Sequence, residues 1–139
     1  MKIHHIGYAV KTLDKATGTF ENLGFRFGPR IDDAKRNVQI AFGENQNCRI
    51  ELVAPLDKSH KSPADAYLSR IGPTPYHFCY ECADIERAIA ELKESGFHTV
   101  LPPEPAIAFN GKRVAFLINR NAGLIELAET PPSAGEYNA

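Results

Sequence analysis

The chain has 139 residues, enough for one domain of ordinary size or two small halves that share a core. Its 16 basic and 17 acidic side chains nearly cancel, so there is no basic excess to neutralise a phosphate backbone, and nucleic acid is excluded as an expected partner. No apolar run is long enough for a bilayer, MKIHHIGYAV enters a strand pattern at once and leaves no room for a signal peptide, and three cysteines do not make a secreted disulfide framework; the expected compartment is the cytoplasm.

In chain order, residues 2–10 alternate and are rich in β-formers, which predicts a strand with His4 and His5 on opposite faces. Residues 12–24 open on Thr-Leu-Asp, place Ala16, Phe20 and Leu23 at helical spacing, and stop at Gly24. A short strand at 25–28 and a turn-rich, charged connection at 29–36 follow. Strands at 37–43 and 48–54 flank the polar turn GENQN. Residues 55–75 carry four prolines and link to the second half, with a short helix at 63–70 favoured by Pro63 in its first turn.

The second half repeats the order. A strand is predicted at 76–82 and a helix at 84–95, where Ile85, Ala88, Ile89 and Leu92 form one stripe that Gly96 ends. A strand at 97–101, a proline-rich loop at 102–111, and strands at 112–119 and 123–129 around the turn NRNAG complete it. The tail 130–139 is polar and expected to fray.

The likeness of the two halves is in the residues as well as the order. HIGYAVKTLDKATGTFENLGF (5–25) aligns without a gap on HFCYECADIERAIAELKESGF (77–97) at a constant offset of 72. His5 falls on His77, Tyr8 on Tyr80, Gly24 on Gly96 and Phe25 on Phe97; IELVAP (50–55) matches IELAET (125–130), which pairs Glu51 with Glu126. The expected fold is therefore α+β: two βαβββ modules from an internal duplication, residues 2–56 and 75–129, joined by a linker at 57–74 within one domain. A helix covers only one face of such a sheet. Two curved sheets side by side would enclose a cleft lined by the other faces.

Each module offers one His near its start and one Glu near its end. A lone strand His is most often a core or surface residue, and a lone Glu an outward charge. Recurrence of the pair at matched positions in a diverged duplication favours a shared task. His5, Glu51, His77 and Glu126 together make a donor set for one divalent first-row metal, with Zn, Ni, Co, Mn and Fe equally compatible. Such a metal polarises a carbonyl oxygen, and a carboxylate beside it moves the proton of the adjacent carbon.

HHIGYAV, IELVAPL, PYHFCYE and GLIELAE resemble the vicinal oxygen chelate superfamily, which includes glyoxalase I, methylmalonyl-CoA epimerase, extradiol dioxygenases and bleomycin-binding proteins. The resemblance covers about residues 2–129. The stretches SPADAYLSRIGPTPYHFCYECADIERAIAELKESGF and PPEPAIAFNGKRVAFL are most similar to the epimerase group. The resemblance implies paired βαβββ modules around a metal cleft, metal positions at His5, Glu51, His77 and Glu126, and a homodimer. It also implies a metal-dependent isomerase that shifts a proton next to an acyl-CoA thioester, with Glu126 as base; from the donor set itself, Glu51 is the expected counterpart. The alternatives are a glyoxalase I-like lyase and a protein that sequesters a small molecule. Ala9 stands where bacterial glyoxalase I has an arginine for glutathione. The epimerase's second acid falls near Ala34 and Lys35, just after Asp32 and Asp33.

Other residues carry weaker signals. Cys79 and Cys82 have C-x-x-C spacing, but three residues apart in a strand they face opposite ways, so buried small side chains are expected. His60 reads as solvated and His98 as structural. Arg30, Arg36, Lys112 and Arg113 are candidate cations for a phosphate-bearing ligand such as CoA.

Overall fold

The computed structural model describes residues 1–130, with the expected frayed tail beyond Thr130 lying outside them. Among the described residues are nine strands, three α-helices and one 3-10 turn. They divide into two compact units, one of residues 5–77 and one of residues 1–4 with 78 onward.

In the unit of residues 5–77, helix α1 (Leu13–Glu21) follows strand β1 (Lys2–Ala9). Leu13 and the half-buried Ala16 and Phe20 pack on Ile6, Tyr8, Ala41, Ile50 and Leu52. The helix is shorter than the predicted 12–24. Thr12 stays extended as its N-cap, and Gly24 takes a φ of 101°, which lets Phe25 N–H donate to the Phe20 carbonyl and turn the chain away. β4 (Val38–Asn45) and β5 (Cys48–Pro55) form a hairpin, and β5 runs parallel to β1 with Gly7 opposite Glu51. β2 (Arg26–Phe27) pairs with β4, giving the order β2-β4-β5-β1.

The stretch 29–36, expected as a connection, contains one more strand, β3 (Ile31–Asp33), held on β4 with Ile31 opposite Ile40. The linker keeps a short helix, α2 (Asp65–Arg70). Asn37, at a φ of 55°, ties the linker down: its amide donates to the carbonyls of Asp57, His60 and Lys61 and its oxygen accepts from Asp57 N–H.

In the other unit, α3 (Ile85–Glu94) follows β6 (Thr74–Cys82). The predicted stripe is the packed face: Ile85, Ala88, Ile89 and Leu92 meet Ala115, Leu117, Ile125 and Leu127. Asp84 caps the helix by accepting from Arg87 N–H, and the Glu129 carboxylate accepts from Ile85 N–H, so two of the first turn's unbonded donors are satisfied. β9 (Gly123–Glu129) runs parallel to β6 and antiparallel to β8 (Arg113–Asn119), in the order β6-β9-β8-β7.

β7 (His98–Pro105) runs past the predicted end at 101 and takes in three prolines, Pro102, Pro103 and Pro105. It lies at the sheet edge, pairing with β8 on one side only, with register shifts between Thr99 and Leu101 and between Leu101 and Glu104. Pro tolerates such a place because the missing N–H falls outside the ladder. The rest of the predicted loop is a 3-10 turn (Ile107–Phe109) that buries Ala106 and Phe109 against Cys79, Val114 and Ala128.

Candidate metal centre

Strand alternation decides which side chains leave the helix-covered faces. On β5, Ile50 and Leu52 pack toward α1, so Glu51 between them points the other way. On β1, Ile6 and Tyr8 belong to the same cluster, and His5, Gly7 and Ala9 lie on the opposite face. On β9, Ile125 and Leu127 pack toward α3, which sends Glu126 to that sheet's other face. Its register partners are Phe116 on β8 and Cys79 on β6.

Three of the four predicted ligands converge within the unit of residues 5–77. His5 Nε2 lies 3.3 Å from Glu51 Oε1, His77 Nε2 lies 3.6 Å from the same oxygen, and the two imidazole nitrogens are 3.3 Å apart. Each offers a ligand atom within 4.8 Å of the others'. All three are buried, His5 at 1%, His77 at 3% and Glu51 at 5% exposure. Two imidazoles and a carboxylate in so small and dry a space match the donor chemistry of a divalent first-row cation, so the residues fit a metal. Glu126, in the other unit, is buried to the same degree as Glu51.

Residues the sequence reading passed over complete the surroundings. The Phe42 ring meets His5 edge-on at 5.4 Å, and the Tyr76 ring meets His77 edge-on at 4.5 Å. Gly7 lies directly under the His77 ring, where a side chain of any size would collide with it. A glycine inside an otherwise β-forming run was the available signal for such a close approach.

The remaining candidates are placed as follows. Cys79 is buried in the cluster around Phe109, while Cys82 packs on the α3 side, as strand parity requires. The His4 ring lies tilted against Phe109 with ring centroids 4.9 Å apart, and His60 is exposed beside Asp57 and Ser59. Asp33, near the place of the expected second acid, is buried and its carboxylate accepts from the Arg36 backbone and guanidinium at 3.1 Å, while Asp32 is exposed.

The four candidate cations for a phosphate-bearing ligand differ in their surroundings. Arg30 is ion-paired with Asp14, and Arg36 with Asp33. Arg113 bridges Glu86 at 2.5 Å and Glu129 at 2.7 Å. Those hydrogen bonds hold the Glu86 carboxyl below its ordinary range and push the Arg113 guanidinium up. Three of the four are engaged within the protein, and Lys112 is exposed.

Comparison with known proteins identifies the family and several relatives of the chain. The sequence profile of the Glyoxalase/Bleomycin resistance protein/Dioxygenase superfamily matches residues 4–116. A protein of Cereibacter sphaeroides named ethylmalonyl-CoA/methylmalonyl-CoA epimerase is 34% identical over 133 residues, covering 92% of this chain and 97% of that one. Among solved structures, a hypothetical protein of Bacillus halodurans C-125 superposes with a TM-score of 0.82 at 29% identity, covering 96% of each chain. The methylmalonyl-CoA epimerase of Mycobacterium tuberculosis superposes with a TM-score of 0.78 at 24% identity, over 99% of this chain and 92% of that one, and at that identity speaks for the fold alone.

Proposed function

This chain belongs to the glyoxalase/bleomycin resistance protein/dioxygenase superfamily, and on that footing we propose that it is a metal-dependent epimerase moving the proton on the carbon next to an acyl-CoA thioester, methylmalonyl-CoA being the first substrate to try. The observation that carries the reading is the convergence of His5, Glu51 and His77 on one buried point. The name and 34% identity of the Cereibacter sphaeroides relative support the reaction type.

His5, Glu51 and His77 would hold the cation. Glu126, the counterpart of Glu51 in the repeat and buried on the helix-free face of its own sheet, is the proposed fourth donor. When bound, the cation supplies Lewis-acid polarisation of the thioester carbonyl, which acidifies the neighbouring C–H. The chain's own groups handle the proton. Glu126 is the proposed base: its carboxylate takes the proton from the α-carbon and leaves a planar centre. Inversion needs a second acid on the opposite side of that centre, and Glu51 is the proposed counterpart, returning a proton while Glu126 keeps the first. One turnover leaves Glu126 protonated and Glu51 ionised; reverse turnover or proton exchange with solvent restores the starting state, and that exchange is the route by which solvent deuterium would reach the α-carbon. The Asp33 carboxylate is committed to Arg36, which leaves it unsuited to the second role.

The three cysteines are all free thiols, which suits the proposed reducing cytoplasm. Among the described residues no helix is long and apolar enough to cross a membrane. A homodimer is proposed from the resemblance, and sedimentation of the purified protein tests it.

The test joins elemental analysis of the purified protein with methylmalonyl-CoA in deuterated buffer. About one divalent cation per chain, and deuterium entering only the α-position, are expected. A protein that holds no cation, takes up none and exchanges no α-hydrogen is a binding protein, and the epimerase reading is lost.

A further inference from the structure

Gly7 occupies a regular strand position. It pairs with Glu51 in an unbroken parallel register, and it is absent from the residues of positive φ, so its conformation is open to any amino acid. Glycine in such a place ordinarily weakens a strand, having no side chain to pack and more freedom to lose. The reason for it lies in what stands above it. A Cβ built on Gly7 would be 2.0 Å from Cε1, 2.3 Å from Nδ1 and 2.5 Å from Nε2 of His77. These three atoms are the nitrogen-bearing edge of the imidazole. The space of one methyl group is therefore filled by the part of His77 that would meet a cation.

We propose that Gly7 is a positioning residue for the metal centre: its missing side chain is the seat on which the His77 imidazole rests against Glu51. The inference rests on the reading of His77 as a ligand. The register makes the seat specific. Gly7 lies opposite Glu51, so a ring seated on Gly7 is delivered beside the carboxylate, where Nε2 stands 3.6 Å from Oε1. Tyr76, edge-on at 4.5 Å, is a further wall for the same ring. The duplication gives an internal control. At the offset of 72 that pairs His5 with His77, Gly7 falls on Cys79, a fully buried residue with a side chain. The repeated strand does not itself call for glycine there. The two histidines, equivalent in sequence, are thus not equivalent in their support: only the first module leaves a gap, and His77 fills it.

The experiment uses four proteins: native, Gly7→Ala, His77→Ala, and the pair combined. Each is melted metal-free in chelator, then titrated with Co(II) while its visible absorption is recorded. In the native background Gly7→Ala is expected to lower the metal-free melting temperature by about 5 °C, the scale of forcing a methyl into a filled space. In the His77→Ala background the same change is expected to cost nothing or to raise the melting temperature, because the ring is gone. Gly7→Ala alone is expected to weaken Co(II) by about 100-fold, as loss of ligand orientation does, and to change the shape of the ligand-field bands. A fall of equal size in both backgrounds, or failure of both to fold, overturns the seat, since glycine would then serve the backbone. Native Co(II) affinity and spectrum in Gly7→Ala overturn the positioning role. If the native protein binds no Co(II), the metal reading fails and the role toward a metal falls with it; the metal-free melting comparison still decides whether the ring rests on Gly7.

Discussion

Loading the metal-free protein with a divalent cation is expected to raise its melting temperature, and replacing both His5 and His77 with alanine is expected to erase that rise. A ligand that binds only the folded state, at a free concentration 100 times its Kd, stabilises by about 2.7 kcal/mol. Unfolding entropy runs near 2.1 cal/mol/K per residue, about 290 cal/mol/K for 139 residues, so the rise is about 9 °C. The double variant has a second effect that must be kept apart. Glu51 is 5% exposed, and the two nitrogens within 3.3 and 3.6 Å of its oxygen are both lost. Stripping partners from a buried charge costs about 3–5 kcal/mol, or about 10–17 °C on the same scale. The double variant therefore melts low even in chelator, and adding Glu51→Gln, which removes the charge, is expected to recover part of the loss. The measurement is differential scanning calorimetry of each protein with chelator and with cation, compared within the protein and not across variants. A rise of equal size in native and double-variant protein would refute the reasoning, because the cation would then be bound elsewhere.

Three further outcomes are expected. Glu126→Gln is expected to abolish α-hydrogen exchange in deuterated buffer while the melting curve keeps its shape; native exchange in that variant removes Glu126 from the proton path. Burial, reinforced by the nearby carboxylates of Glu129, Asp84 and Glu86, pushes the Cys82 thiol from its ordinary 9.0 up to about 11. The folded state then holds that proton to higher pH than the unfolded chain does, so its contribution to stability is whole below pH 9 and is lost as pH rises toward 11. Mass-resolved alkylation at pH 8 is expected to label exposed Cys48 well before Cys82, and equal rates would contradict the shift. Arg113→Ala is expected to lower the melting temperature modestly and to remove part of its acid dependence. The Glu86 carboxyl is held below its ordinary 4.5 by that arginine, so the stability it lends is present above this pH and lost as pH falls. An unchanged acid limb in the variant would count against the bridge.

How far the sequence could be read depended on where each signal lived. The α3 stripe is a local signal, and the helix formed where it placed it. β3 was not legible, because Ile31-Asp32-Asp33 has no alternation of its own and is a strand only through its bonds to β4. Pro102 and Pro103 mark an end to β7 by composition, yet an edge strand accepts them. For the basic residues the sequence shows less than the fold does. Charge is visible in a sequence, but the Glu86, Glu129, Asp14 and Asp33 partners of three of them are set by packing.

The sequence by itself pointed to a repeated order of elements and to the candidate donors, because both readings rest on periodicity and on a constant offset. Tertiary structure alone decided that His5, Glu51 and His77 meet. Parity in a strand fixes which face a side chain takes, while the distance between side chains on different strands follows from register. Here the parallel pairing of β1 with β5 sets Gly7 opposite Glu51 and leaves room above it for a ring that arrives from 70 residues further along the chain.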